Sequence, residues 1–201
     1  MSTRPVVPRI LLLISGGALL LLVMATFVIN WAVNSRAELP VLGEVPPFEF
    51  TERSGEPFTQ DDMLGKINLV YFGFTSCRGP CPILLVNMRE LYDYYENTGQ
   101  VQFIKISVDP DRDNLEALKR YAEEGGITDN RWLFLRAPIE EVVQLSEEGF
   151  MLSAHDLPGG HTTKFILVDH MGRIRAYYDG LDASALPVIK ADVRQIASEM
   201  E

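Results

Sequence analysis

The chain has 201 residues, 18 of them basic and 28 acidic, for a formal net charge of −10. That length suits one ordinary domain plus an appendage, and an apolar content of 47% suits a packed core. The first 35 residues hold Arg4 and Arg9 and no acid, so the remainder is more acidic still, which excludes nucleic acid as a partner because nothing offsets phosphate repulsion.

From Ile10 to Ser35 no residue is charged. As a helix this run would be about 39 Å long at 1.5 Å per residue, enough to span a hydrocarbon core of roughly 30 Å. The sequence therefore divides into a cytoplasmic N-terminus (1–9), a single transmembrane helix (10–35), a linker (36–47) and a folded domain (48–201). Arg4 and Arg9 place the N-terminus inside by the positive-inside rule. The expected location is the inner (cytoplasmic) membrane, with the C-terminal domain in the periplasm or an equivalent exported compartment. A cleaved signal peptide is the alternative, but the apolar core is long for one and no A-x-A site follows. Either way the domain is exported, to where cysteines can be oxidised.

Three prolines and a glycine in Ala37–Pro47 predict an extended linker. Phe48–Phe58 reads as a β-hairpin around Arg53-Ser54-Gly55-Glu56. Gln60–Leu64 is a helical turn closed by Gly65, and Ile67–Phe74 is a buried strand. Leu84, Leu85, Met88, Leu91 and Tyr92 recur at helical spacing within Pro82–Glu96. Val101–Val108 is a strand, followed by the turn Asp109–Asp113, whose last residue is placed to cap a helix over Asn114–Glu124. Trp132–Leu135 is a strand. Pro138 opens a helix over Ile139–Glu147, and Phe150–Ser153 is expected to be a short strand. His155–His161 is a loop. Lys164–Val168 and Arg173–Tyr178 are strands, and Asp182 or Ser184 caps a last helix ending near Ser198. Strands and helices alternate, with a hairpin at the end, so the fold class is α/β with a mixed sheet. A cysteine pair just after a βα turn points to a thioredoxin-like fold.

Cys77 and Cys81 are the only cysteines. They fall where a strand feeds a helix, and the positive end of that helix should lower thiol pKa. Their spacing permits a disulfide if Cys77 sits in the preceding turn, and equally permits two thiolates on one metal ion. Soft thiolates favour copper(I), zinc and iron–sulfur clusters. A third ligand would have to come from elsewhere. The histidines are His155, His161 and His170, and His170 is expected on the surface of a hairpin turn. His161 stands at the entrance to a strand, after the flexible Pro158-Gly159-Gly160.

Three segments carry a family resemblance. Y-F-G-F-T-S-C-R-G-P-C-P (Tyr71–Pro82) resembles the signature of the Sco (SenC) family of copper-handling proteins. Ile106–Asp113 is similar to that family's second segment, and His161–Asp169 to its third, which carries a ligand histidine. The resemblance runs from about Pro47 to the C-terminus. It implies a thioredoxin-like fold, copper as Cu(I) or Cu(II), and ligands Cys77, Cys81 and His161, with Asp109 close behind them; Arg78 stands close behind them by its own place beside Cys77, where its charge should favour thiolate. The resemblance further implies copper delivery to, or thiol preparation of, the copper centre of cytochrome c oxidase subunit II, or another copper protein. Where the family usually has proline after the first cysteine, this chain has Arg78. Gly79-Pro80-Cys81 looks like the thioredoxin C-G-P-C motif with one residue inserted. The alternative function is accordingly an exported thiol–disulfide oxidoreductase using Cys77 and Cys81 as a redox pair without His161. A peroxiredoxin-like peroxidase is disfavoured, because Cys77 lacks a T-x-x-C setting.

Overall fold

The computed structural model describes residues 17–28 and 38–200. Residues 17–28 are helical. The expected cytoplasmic N-terminus (1–9) and the rest of the expected anchor (10–35) lie outside the described residues. Among the described residues no helix is long and apolar enough to cross a membrane.

From Leu39 onward the chain forms one compact unit. Its strands are β1 (Gly43–Glu44), β2 (Glu49–Glu52), β3 (Pro57–Thr59), β4 (Ile67–Gly73), β5 (Val101–Ser107), β6 (Trp132–Arg136), β7 (Lys164–Val168) and β8 (Arg173–Asp179). Its helices are α1 (Cys81–Tyr94), α2 (Leu115–Glu124), α3 (Ile139–Gln144) and α4 (Ala185–Ser198). The sheet runs β1-β8-β7-β4-β5-β6-β2-β3. Strands β4, β5 and β6 are parallel, and β7 and β8 join as an antiparallel hairpin. This is the α/β, thioredoxin-like architecture, with the expected β2–β3 hairpin on one edge in the register Phe50↔Phe58.

Every residue of β4 is buried, so the strand reads as an unbroken apolar run rather than an alternating one. Ile67, Leu69 and Tyr71 face a core with Leu84, Met88 and Leu91 of α1, Leu118 of α2 and Ile189 and Val193 of α4. Val70 and Phe72 face the opposite core with Phe50, Phe58, Val142 and Phe150. Two apolar layers sandwich the sheet and fix the C-terminal end of β4, where the chain turns to α1.

Several expectations change. The expected linker contributes β1, which pairs with β8. The buried Arg175 donates to the carbonyls of Leu39 (2.7 Å) and Pro40 (3.3 Å), binding that stretch to the domain. The expected helix over Ile139–Glu147 gives way after Gln144 to a π-helical turn, Leu145–Gly149. Phe150–Ser153 is not a strand. Met151 has φ 53°, in the left-handed region, and the Leu152 amide donates back to Ser146 O (2.8 Å). Asp113 does not cap α2; Asn114 does, its side chain accepting from the Ala117 amide at 2.9 Å. Ser184 holds the cap position of α4, but its hydroxyl donates to Asp182 (2.7 Å) rather than capping the helix.

Candidate metal centre

The cysteine segment leaves β4 at Gly73 and enters α1 at Cys81. Pro80 occupies the N-cap and Pro82 the first turn, where a missing N–H costs nothing. Cys81 is therefore the first residue of the helix, and Cys77 lies in the loop before it, as the disulfide geometry required. Both are free thiols, Cys77 half-buried and Cys81 buried.

Asp113 sets the loop's position. Its carboxylate accepts from the Thr75 amide (3.1 Å), the Thr75 hydroxyl (2.6 Å) and the Ser107 hydroxyl (2.6 Å). One buried side chain thus ties the cysteine loop to the end of β5. Gly73 matters for a different reason: a Cβ there would sit 3.3 Å from Cys81 Sγ, so a side chain would push against the sulfur.

His161 comes from the loop before β7 and is buried, at 6% exposure. The loop can close tightly only with glycine at 160, because a Cβ there would lie 2.7 Å from His155 O. A carbonyl can only accept, so the 2.9 Å contact means that His161 Nδ1–H donates to Thr162 O. That fixes the tautomer and leaves the Nε2 lone pair facing Cys81 Sγ at 3.3 Å. Metal-binding histidines are oriented in this way, with the far nitrogen held by a carbonyl or carboxylate. The edge of the Phe74 ring pair, 5.7 Å between centroids, supports the imidazole from the side. Burial lowers the His161 pKa, against the Thr162 hydrogen bond and with help from the cation of Lys105, so the ring is a neutral donor.

Cys77, Cys81 and His161 each offer one donor atom, and these lie within 4.8 Å of one another. Donors sharing one ion through bonds of about 2.0–2.3 Å stand roughly 3.5–4.5 Å apart, so the triad is close to a binding spread without rearrangement of the fold. Two sulfurs and an imidazole form a soft set.

The other predicted residues fall further out. Arg78 is exposed. Asp109 is buried, its carboxylate accepting from Arg112 Nη1 at 3.1 Å in the turn after β5. His155 is exposed. His170 is half-buried rather than at the surface, because its turn folds against Gly65, whose amide donates to His170 O. The Cys81 thiol is not lowered by the helix end. Burial, with a hydrogen bond to Cys77, pushes it up to about 12, against the Phe74 amide and the Lys105 cation. Two residues beside the site were absent from the sequence reading. One is Asp113 in its buried role, and the other is Lys105 of β5, fully buried and electrostatically coupled to both thiols.

Residues 40–198 match the SCO1/SenC family profile. A Bacillus subtilis SCO1 protein homolog is 26% identical over 165 residues, which is 79% of this chain and 86% of that one. BsSco, described as a member of the Sco family of cytochrome c oxidase assembly proteins with a disulfide switch, superposes with a TM-score of 0.72. It is 26% identical, over 81% of this chain and 98% of its own. Yeast Sco1 with copper bound superposes with a TM-score of 0.59 at 27% identity, over 77% of this chain and 94% of that one. The profile runs from the stretch gripped by Arg175 through α4 and takes in all three donor residues: the chain belongs to the SCO1/SenC family.

Proposed function

We propose that this chain binds copper through Cys77, Cys81 and His161, and either delivers it to, or prepares the thiols of, the copper centre of cytochrome c oxidase subunit II. The observation that carries the reading is the donor triad itself, with His161 Nδ1 tied to Thr162 O and Nε2 turned to the sulfurs. Copper here is cargo. Cu(I) with two thiolates and a neutral imidazole carries a charge of −1, which the positive end of α1 favours and which the exposed Arg78 can approach from solvent. Because the Cys81 thiol is protonated in the free protein, loading copper must release its proton. Disulfide formation consumes the same two sulfurs, so only the reduced protein can load. The uncharged run 10–35 is proposed as the single membrane anchor that keeps the domain on the outer face of the inner membrane.

The difference in cysteine exposure favours a second use of the same pair. Cys77 is half-buried and Cys81 buried. In thiol reduction Cys77 attacks a partner disulfide, forming a mixed disulfide and releasing one partner thiol. Cys81 then displaces the second partner thiol and closes the Cys77–Cys81 disulfide, so two electrons and two protons pass to the partner.

A strain lacking this chain separates the two uses. Loss of cytochrome c oxidase activity, restored by the native gene but by neither Cys77→Ser nor His161→Ala, is the expected result. Restoration by His161→Ala would assign the function to thiol reduction. Full oxidase activity without the chain would refute both.

A further inference from the structure

Lys105 is a charged side chain buried where the packing around it is aromatic. It lies in the middle of β5, opposite Tyr71 of β4 and Phe134 of β6, at 1% exposure. Among the described residues no hydrogen-bond acceptor meets its Nζ. The ammonium stands 4.1 Å from the centroid of the Tyr121 ring and 5.9 Å from that of Phe134. Aromatic faces recover only part of the cost of taking a charge out of water. Asp113 is the strongest attractive influence on it, yet the Asp113 oxygens are committed to Thr75 and Ser107.

The position of this cation links it to the sulfurs. The space vacated by the missing Gly73 side chain is bordered by Cys81 Sγ, 3.3 Å from a Cβ placed there, and by Lys105 Cε, 3.7 Å from it. The lysine thus reaches beneath Cys81 from the core side, where no solvent screens it. Arg78, by contrast, is exposed and screened.

We infer that the Lys105 ammonium is the internal counter-charge of the loaded metal centre, a positioning residue that selects Cu(I) over Cu(II). This rests on the copper-binding reading above. Cu(I) held by two thiolates and an imidazole has a net charge of −1, whereas Cu(II) in the same ligands has none. A fixed buried cation stabilises the first and is indifferent to the second. Interactions shared by both ions, including any loosening of the ligands, cancel in the ratio of the two affinities.

The test uses the full chain in detergent, native against Lys105→Met, which keeps length and apolar bulk while removing the charge. Competition titrations with Cu(I) and Cu(II) should show the Cu(I) affinity falling about tenfold or more relative to that for Cu(II). The urea midpoint should stay level or rise, since an unpaired buried charge has been removed. An unchanged affinity ratio overturns the inference. So does a fall in both affinities together with the urea midpoint, which marks Lys105 as a structural prop. Native protein that binds no Cu(I) overturns the copper reading and this inference together, whereas native binding with an unchanged affinity ratio in Lys105→Met overturns the inference alone.

Discussion

Asp113 shows how much of the site depends on one buried side chain that touches no donor atom. Its carboxylate accepts from two groups of Thr75 and from Ser107, joining the cysteine loop to the end of β5. Asp113→Asn keeps the shape but turns one acceptor oxygen into a donor facing other donors. The expected cost is about 1–3 kcal/mol of stability, read by urea unfolding, with weaker copper binding because Cys77 is no longer held. A variant as stable as the native protein would mean that the three hydrogen bonds add nothing to folding. At this scale Cys77, Cys81 and His161 were legible because their side chains carry metal chemistry and stand in motifs. Asp113 was misread because an aspartate just before a helix ordinarily caps it, whereas inward-facing donors claimed this one and Asn114 took the cap. Lys105 left a fainter trace, a single charge inside a strand otherwise apolar enough to be buried on both faces. Only the structure shows that its neighbour across Gly73 is a sulfur.

At the scale of elements, the clearest device is the clamp between β8, α4 and the start of the domain. Arg175 on β8 donates to Asp169 Oδ2 (2.9 Å), to Glu199 Oε2 (2.8 Å) and to Leu39 O (2.7 Å). Arg175→Ala strands the buried Asp169 charge and two backbone carbonyls, and should cost about 3 kcal/mol in urea unfolding. No loss would show that Arg173 alone satisfies Asp169. The clamp also sets a pH dependence. Burial alone would raise the Asp169 pKa, but hydrogen bonds from Arg173 and Arg175 hold it below the ordinary value. A depressed carboxylate gives stability that is complete above the unfolded pKa, about 3.9, and is lost as pH falls through the folded one. The stability gap between native protein and Asp169→Asn should therefore be full near neutral pH and shrink below about pH 4. A gap that widens in acid would contradict the assignment. Strand and helix identities were largely legible, since β4 and α1 announce themselves by apolar runs and helical spacing. The stretch after Gln144 was not, because a π-turn and a left-handed Met151 have no periodic signature.

For the whole molecule, the sequence and the described residues speak to different parts. The domain from Leu39 is self-contained, and the uncharged run 10–35 is proposed as its tether. Membrane fractions should retain the chain through alkaline carbonate, and protease added to spheroplasts should digest the domain. A soluble species beginning near residue 36 would show a cleaved leader instead.

The most direct measurement of the central claim is a copper titration of the reduced full-length chain in detergent, comparing native protein with His161→Ala, His155→Ala and His170→Ala. One copper per chain is expected. The affinity of His161→Ala should be at least about 10–100-fold weaker, since losing a ligand should cost no less than losing the residue that orients one. The other two variants should match the native protein, and the oxidised chain should bind no copper at this site. Native affinity in His161→Ala would contradict the three-ligand centre.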